Sequence, residues 1–128
     1  MTSGETFAKR VFFGAGVYGL IALVPQYFFE AKIGRDFPPA INHPEYFYGF
    51  LGVAIAWQIA FLAISKNPIR LRPVMIAAVV EKYSFVCSTT ALFIASRVPP
   101  EMMLFALIDL TLGTLFIISF LRCKEPNA

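Results

Sequence analysis

Residues 71–96 read LRPVMIAAVVEKYSFVCSTTALFIAS, a long apolar run whose middle carries a glutamate and a lysine side by side. A helix needs about 20 predominantly apolar residues to cross roughly 30 Å of hydrocarbon, and this run is long enough. Asn67-Pro68 precedes the run and Pro99-Pro100 follows it, and both dipeptides are turn signals. We therefore interpret the run as a transmembrane helix with two intramembrane charges.

The composition of the whole chain supports the same interpretation. Of its 128 residues, 58% are hydrophobic and 15% are charged, whereas a soluble domain has about 25% charged residues. A chain of this length holds one small domain, so residues 1–128 are predicted to form a single unit. The net charge of +3 is modest and the basic residues lie near segment ends, which argues against nucleic-acid binding.

Three further apolar runs are long enough to cross a membrane. Together the four predicted spans cover residues 10–29, 46–64, 71–96 and 101–121. The predicted fold class is an all-α membrane protein, a four-transmembrane-helix bundle. Its connections are short except for a long outer loop over residues 30–45, which is longer than most loops in small bundles.

The first span is expected to be a permanent helix and not a cleaved signal. The residues VPQYFFEAK at its end are bulky or charged, whereas a cleavage site requires small residues. Thr2 and Glu5 have the spacing of a capping box, which predicts that Thr2 starts this helix.

The distribution of basic residues predicts the orientation. Lys and Arg are more frequent on the cytoplasmic side of membrane proteins. Lys32, Arg35 and Arg97 lie on the side of the outer loop. The opposite side holds both termini and has more basic residues, so it is predicted to be cytoplasmic. These residues are Lys9, Arg10, Lys66, Arg70, Arg72, Arg122 and Lys124.

Small residues form stripes on two spans. In lipid, such stripes let helix backbones approach closely, either within one chain or between copies of a homo-oligomer. Both interpretations stay open for these positions, which are Gly14, Gly16 and Gly19 on span one and Gly49, Gly52, Ala56 and Ala60 on span two.

The charges in the middle of the spans are the main candidates for a functional site. Glu81 and Lys82 lie on the order of 15 Å into span three, and Asp109 has a similar depth in span four. A charge at this depth costs at least about 3 kcal/mol and requires a partner or a polar cavity. Glu81 shares a helix face with Ser84 and Ser88, so we expect this face to look into the bundle.

Lys82 points about 100° away from Glu81 on the helix, so it either contacts another helix or extends towards the cytoplasmic edge. Gln58 on span two has a depth close to that of Glu81. The candidate ligand-binding residues are Glu81, Lys82, Ser84, Ser88, Asp109, Gln58 and Trp57.

Three roles fit this cluster. It is a structural clamp that fixes helix register, a ligand-binding or catalytic cavity, or part of a proton or ion pathway. In the catalytic version Glu81 and Asp109 are the candidate acid and base, and the chemistry is isomerase-like on a lipid, sterol or quinone-like substrate.

No metal centre or cofactor is predicted. His43 and Glu45 in the outer loop are weak candidates as metal ligands, because their spacing matches no zinc pattern. Cys87 and Cys123 lie at different depths and form no CxxC motif, so neither a disulfide nor a redox site is expected.

The layout of the chain, with four spans, a long first outer loop and the basic turn NPIRLRP at residues 67–73, resembles the DoxX-like group of small four-helix membrane proteins. This resemblance implies the four-helix fold and a bacterial inner membrane.

Two kinds of function remain. The first is a scaffold, accessory subunit or hydrophobic-ligand-binding protein. Its partners would be membrane lipid, a hydrophobic small molecule, copies of itself or a larger membrane complex. The second is the membrane enzyme described above.

Overall fold

The computed structural model describes residues 2–124. Four segments are long and apolar enough to cross a membrane. The predicted all-α fold with four long apolar helices is therefore confirmed. The helices are α1 (Ser3–Leu23), α2 (Glu30–Asp36), α3 (Pro44–Lys66), α4 (Arg72–Ile94) and α5 (Glu101–Arg122), and a 3-10 helix over Val24–Phe28 continues α1.

The first helix begins before the apolar run that predicts it. α1 starts at Ser3 because Thr2 Oγ1 accepts a hydrogen bond from the Glu5 backbone N–H at 3.0 Å. The predicted cap at Thr2 is thus confirmed. Hydrophobicity marks where a helix enters lipid, whereas Lys9 and Arg10 are good helix formers and let the helix extend beyond that point.

The outer loop is more ordered than predicted, since residues 30–45 include the short helix α2. Lys32 and Asp36 form an exposed ion pair one turn apart on this helix. α3 then begins at Pro44, whose missing N–H suits the first helical turn, with Glu45 beside the positive end of the helix dipole.

A Schellman motif ends α4. Ser96 has the left-handed value φ 58°. Its N–H donates to the Phe93 carbonyl at 3.0 Å, and the Arg97 N–H donates to the Leu92 carbonyl at 2.8 Å. Glycine usually takes this position because a Cβ atom is strained there. The motif stops the helix ahead of Pro99, as the turn signal predicts.

The long helices pack unevenly. α1 lies against α3 and α5, and α4 lies against α5, whereas α3 and α4 touch weakly. In the centre, Phe12 of α1 stacks on Phe116 of α5 with 4.3 Å between ring centroids. Phe61 of α3 meets both rings. These aromatic rings join three of the four long helices, and α4 adds the buried side chains of Met75 and Ala78 to the same hydrophobic core.

The small residues of span one and span two have different roles. Gly16 and Gly19 are buried, and a Cβ at either would overlap α3 at Leu62 or Gln58, so these glycines allow α1 and α3 to approach closely. Gly49 and Gly52 of α3 are exposed, and a Cβ at Gly49 would meet nothing within 4 Å. A close intrachain approach is therefore present at Gly16 and Gly19. Gly49 has no such neighbour, and a Cβ at Gly52 would meet only the Tyr27 hydroxyl, at an ordinary contact distance of 3.6 Å.

Two arginine side chains connect neighbouring helices at one end of the bundle. We call this the basic end, and it comprises residues 2–10, 66–72 and 122–124. Arg72 Nε donates to the Phe120 carbonyl at 2.9 Å, and its guanidinium lies 3.7 Å from the centre of the Phe120 ring. Arg122 contacts Ser3 and lies over the Phe7 ring of α1. These contacts link α4 to α5 and α5 to α1.

Candidate functional site

The intramembrane charges converge on one lysine. Lys82 Nζ lies 3.5 Å from Glu81 Oε2 and 3.4 Å from Asp109 Oδ1. The lysine side chain is 7% exposed, and the carboxylate side chains are 25% and 20% exposed respectively. We call these three residues the triad. Each charge of the triad therefore has an opposite charge within ion-pair distance.

Lys82 contacts two other helices. Its ammonium donates to Asp109 of α5 and lies 5.4 Å from the centre of the Phe61 ring of α3, a cation–π distance. Gly113 of α5 makes the approach possible, because a Cβ there would lie 3.1 Å from Lys82 Cβ and 2.7 Å from the Tyr83 ring. The lysine is therefore a link between α4, the aromatic core and α5.

The two carboxylates are not equivalent. Asp109 accepts a hydrogen bond from Lys82, whereas Glu81 Oε2 is buried without a hydrogen-bond partner among the described residues. With all three groups ionised, the triad would carry two negative charges and one positive charge. Because unpaired charge is expensive at this depth, removal of the lysine should harm the protein more than removal of either carboxylate.

The prediction for the inward face of α4 was wrong. Ser84 and Ser88 are exposed, and the buried residues of α4 are Met75, Ala78, Lys82 and Thr89. The serine hydroxyls donate to backbone carbonyls of their own helix, Ser84 to Glu81 at 3.0 Å and Ser88 to Ser84 at 2.6 Å. A hydroxyl satisfied in this way needs no partner helix, so it does not mark an interior face.

Gln58 and Trp57 lie apart from the triad contacts. Gln58 is buried between α1 and α3, where its amide nitrogen donates to the Ala54 carbonyl at 2.9 Å and its oxygen faces Gly19. Trp57 lies beside Phe61 and lines a surface groove between α3 and α4. Gln58 is thus a packing residue of the α1–α3 interface.

His43 and Glu45 form an exposed pair at the start of α3. His43 Nδ1 lies 3.3 Å from Glu45 Oε1, and the imidazole ring stacks on Tyr46. Within residues 2–124, no group of three or more His, Cys, Asp or Glu side chains is close enough to hold a metal ion. This pair offers two potential ligands at a solvated helix start.

Sequence reasoning placed Gly113 on the same face as Asp109 but missed Phe61 and Tyr83. Tyr83 packs over Gly113, and its hydroxyl lies 2.8 Å from Thr114 Oγ1, which fixes α4 against α5. A usable signal was present for α4, since Met75, Ala78, Lys82 and Thr89 recur at helical spacing. The competing face of Glu81, Ser84 and Ser88 concealed this signal, because a carboxylate and hydroxyls at helical spacing also predict a polar face inside a membrane bundle.

Two apolar grooves lie on the surface of the bundle, away from the triad. Two apolar surface grooves of about 200 and 250 Å³ are present, one between α4 and α5 and one between α3 and α4. Both are smaller than the roughly 300–1,000 Å³ of sites that enclose a drug-sized ligand. No triad residue lines either groove. Both carboxylates lie within ion-pair distance of Lys82.

Comparison with protein-family models, curated proteins and solved structures finds no match to this chain. The resemblance to the DoxX-like group stays a prediction.

Proposed function

We propose that this protein is a small membrane scaffold or accessory subunit whose intramembrane charges clamp its own helices together. The proposal includes a bacterial inner membrane with both termini in the cytoplasm, as the layout and the basic end suggest. Its four long apolar helices are compatible with this setting.

The position of Lys82 is the observation that carries the proposal. Its ammonium occupies the space between Glu81 and Asp109, where a substrate or transported ion would have to sit. An acid or base must be within hydrogen-bond reach of the group that it protonates or deprotonates. Here Lys82 is the cation within ion-pair distance of each carboxylate, which supports a structural clamp over a catalytic site.

The exposed glycines of α3 suggest how a scaffold of this kind would bind a partner. Gly49 and Gly52 lie on the outside of the bundle next to the exposed side chains of Phe50 and Val53. Glycine lets another helix approach closely in lipid, where apolar surface alone gives no drive to associate. We call Gly49 and Gly52 the glycine face, and we expect it to pack against a second copy or another membrane subunit.

Native mass spectrometry of the detergent-purified protein tests the proposal. We expect a defined oligomer or a co-purifying subunit, and we expect Gly49→Leu to abolish it by filling the glycine face. Gly14→Leu is the matched control, because Gly14 is also exposed with open space around its Cβ position. This control should keep the assembly.

The same experiment separates the scaffold from the enzyme. Glu81→Gln and Asp109→Asn keep the shape of each side chain and remove its charge. A small molecule that the wild type retains and both variants lose would contradict the scaffold and would identify the ligand of a binding or catalytic site.

A further inference from the structure

The groove between α3 and α4 lies where the bundle is least tightly packed. It has a volume of about 250 Å³ and is lined by Val53, Ala56, Trp57 and Ala60 of α3 and by Val74 of α4. The two alanines leave the space open, and the valines and the indole ring form apolar walls. In a membrane such a groove is filled by a hydrocarbon chain or by another helix.

A short turn connects the two helices that line this groove. α3 ends at Lys66 and α4 begins at Arg72, so residues 67–71 close the gap between the helices at the basic end. Lys66 and Arg70 are exposed, and no ion pair joins either side chain to an acidic group within residues 2–124. The connection between the two groove-lining helices therefore carries two exposed cations without an ion-pair partner among the described residues.

The second groove provides a comparison. It lies between α4 and α5 and is also apolar, with Phe120 in its lining. The basic residue at its end is Arg72, whose guanidinium is already bound to the Phe120 carbonyl and ring. The α3–α4 groove differs because the cations at its end have no such partner.

We propose that the α3–α4 groove and its connecting turn bind one anionic phospholipid from the leaflet at the basic end. One acyl chain lies in the groove against Ala56 and Ala60, and the headgroup phosphate is neutralised by Lys66 and Arg70. Charge complementarity selects this occupant over an apolar helix, since basic sites between transmembrane helices attract anionic headgroups. The inference goes beyond the scaffold function. The groove adjoins the glycine face at Val53, but the lipid proposal uses neither the triad nor Gly49 and Gly52, so the variants below test it separately.

Native mass spectrometry after exchange into vesicles of phosphatidylglycerol and phosphatidylcholine in equal parts tests the proposal. We expect the wild type to retain one phosphatidylglycerol in preference to phosphatidylcholine. Lys66→Gln and Arg70→Gln should each lower this preference by about fivefold. Lys124→Gln is the matched control, because Lys124 is exposed at the same end but follows α5, and it should leave the preference unchanged.

The groove is tested separately. Ala56→Leu should displace the lipid, and Ala63→Leu should not, because Ala63 is exposed on α3 but does not line the groove. Both changes add a leucine at an exposed position, so each variant should keep the wild-type circular dichroism.

Two results would overturn the proposal. The first is equal retention of the two phospholipids by the wild type. The second is a dimer that carries no lipid and that Ala56→Leu dissociates, which would assign the groove to a second copy. Loss of the assembly in Gly49→Leu with lipid retention intact would concern the scaffold function alone.

Discussion

Lys82 of α4 reaches Asp109 of α5 inside the membrane-spanning part of the bundle, with 3.4 Å between Nζ and Oδ1. Met75 and Ala78 of α4 pack in the hydrophobic core. The Lys82–Asp109 contact and the neighbouring Tyr83–Thr114 contact add polar links between α4 and α5 to this apolar packing. A buried ion pair adds little stability compared with apolar packing, but loss of one partner leaves an uncompensated charge. The lysine should therefore be indispensable only while the carboxylates are present.

Lys82→Met is expected to lower the free energy of unfolding by about 3–5 kcal/mol. The variant leaves Glu81 and Asp109 without their shared cation in a poorly hydrated place. The measurement is unfolding in mixed micelles with increasing sodium dodecyl sulfate, followed by circular dichroism. Lys32→Met is the matched control, because it breaks an exposed ion pair with Asp36 and should cost less than about 1 kcal/mol.

The triple variant Lys82→Met, Glu81→Gln, Asp109→Asn is expected to recover most of that loss, since it removes the charges together. A clamp that acts through charge balance requires this recovery. If the triple variant is as unstable as Lys82→Met, then the packing of the lysine stem and not its charge stabilises the bundle.

Gly19→Ala is expected to destabilise the protein by about 1–3 kcal/mol, because the added methyl group would overlap the buried Gln58 side chain. Gly14→Ala is its counterpart on the same helix. That position is exposed and open, so alanine should be neutral or stabilise the helix by up to about 1 kcal/mol. The same unfolding measurement distinguishes them, and equal effects would argue against close α1–α3 packing at Gly19.

The sequence was sufficient to predict the four long helices, because span length and apolar composition are properties of each segment alone. The cap at Thr2 and the start at Pro44 were also predictable, since both are local. The face of α4 that points into the bundle could not be predicted in this way. Whether Lys82 or Ser84 points inwards depends on which neighbour supplies a partner, and that neighbour, Asp109, is distant in the sequence.

The sequence also does not show which helix each glycine stripe contacts. Glycine at helical spacing indicates that a backbone can approach, but it does not say which backbone. Gly16 and Gly19 meet α3 of the same chain, whereas Gly49 meets nothing in it. The difference arises from how α1 and α3 are rotated against each other, which the sequence pattern alone does not specify.

Ser96→Gly is expected to stabilise the protein by about 1 kcal/mol. Ser96 is in the left-handed conformation at φ 58°, where an L side chain is strained by roughly 1–2 kcal/mol. Glycine relieves that strain, although its greater freedom in the unfolded chain offsets part of the gain. A rise in the midpoint of thermal unfolding would confirm the motif. Ser84→Gly is the matched control in the middle of α4 and should lower the midpoint.

Cys123 at the basic end should resist alkylation near neutral pH. The residue is fully buried just after α5, and burial, with the nearby negative charge of Glu5, raises the pKa of its thiol despite the opposite effect of Arg72. The thiolate is the nucleophile, so the folded protein should react with iodoacetamide more slowly than the unfolded protein, and the difference should persist to a higher pH than for an ordinary thiol. The test uses a Cys87→Ser background, since Cys87 is exposed.

The raised pKa of Cys123 also predicts that the folded protein loses stability as the pH rises through the titration range of this thiol. Between the ordinary thiol pKa and the raised one, the unfolded chain loses a proton that the folded protein keeps, so the unfolded state is favoured as the pH rises. The contribution of the Cys123 thiol to the free energy of unfolding is fully present below the ordinary thiol pKa, and it is lost as the pH rises through the raised pKa of the folded state. Cys123→Ala, which has no thiol to titrate, should show a smaller fall in unfolding free energy over this range. Equal pH dependence in the two proteins would indicate that Cys123 is solvated at the end of α5.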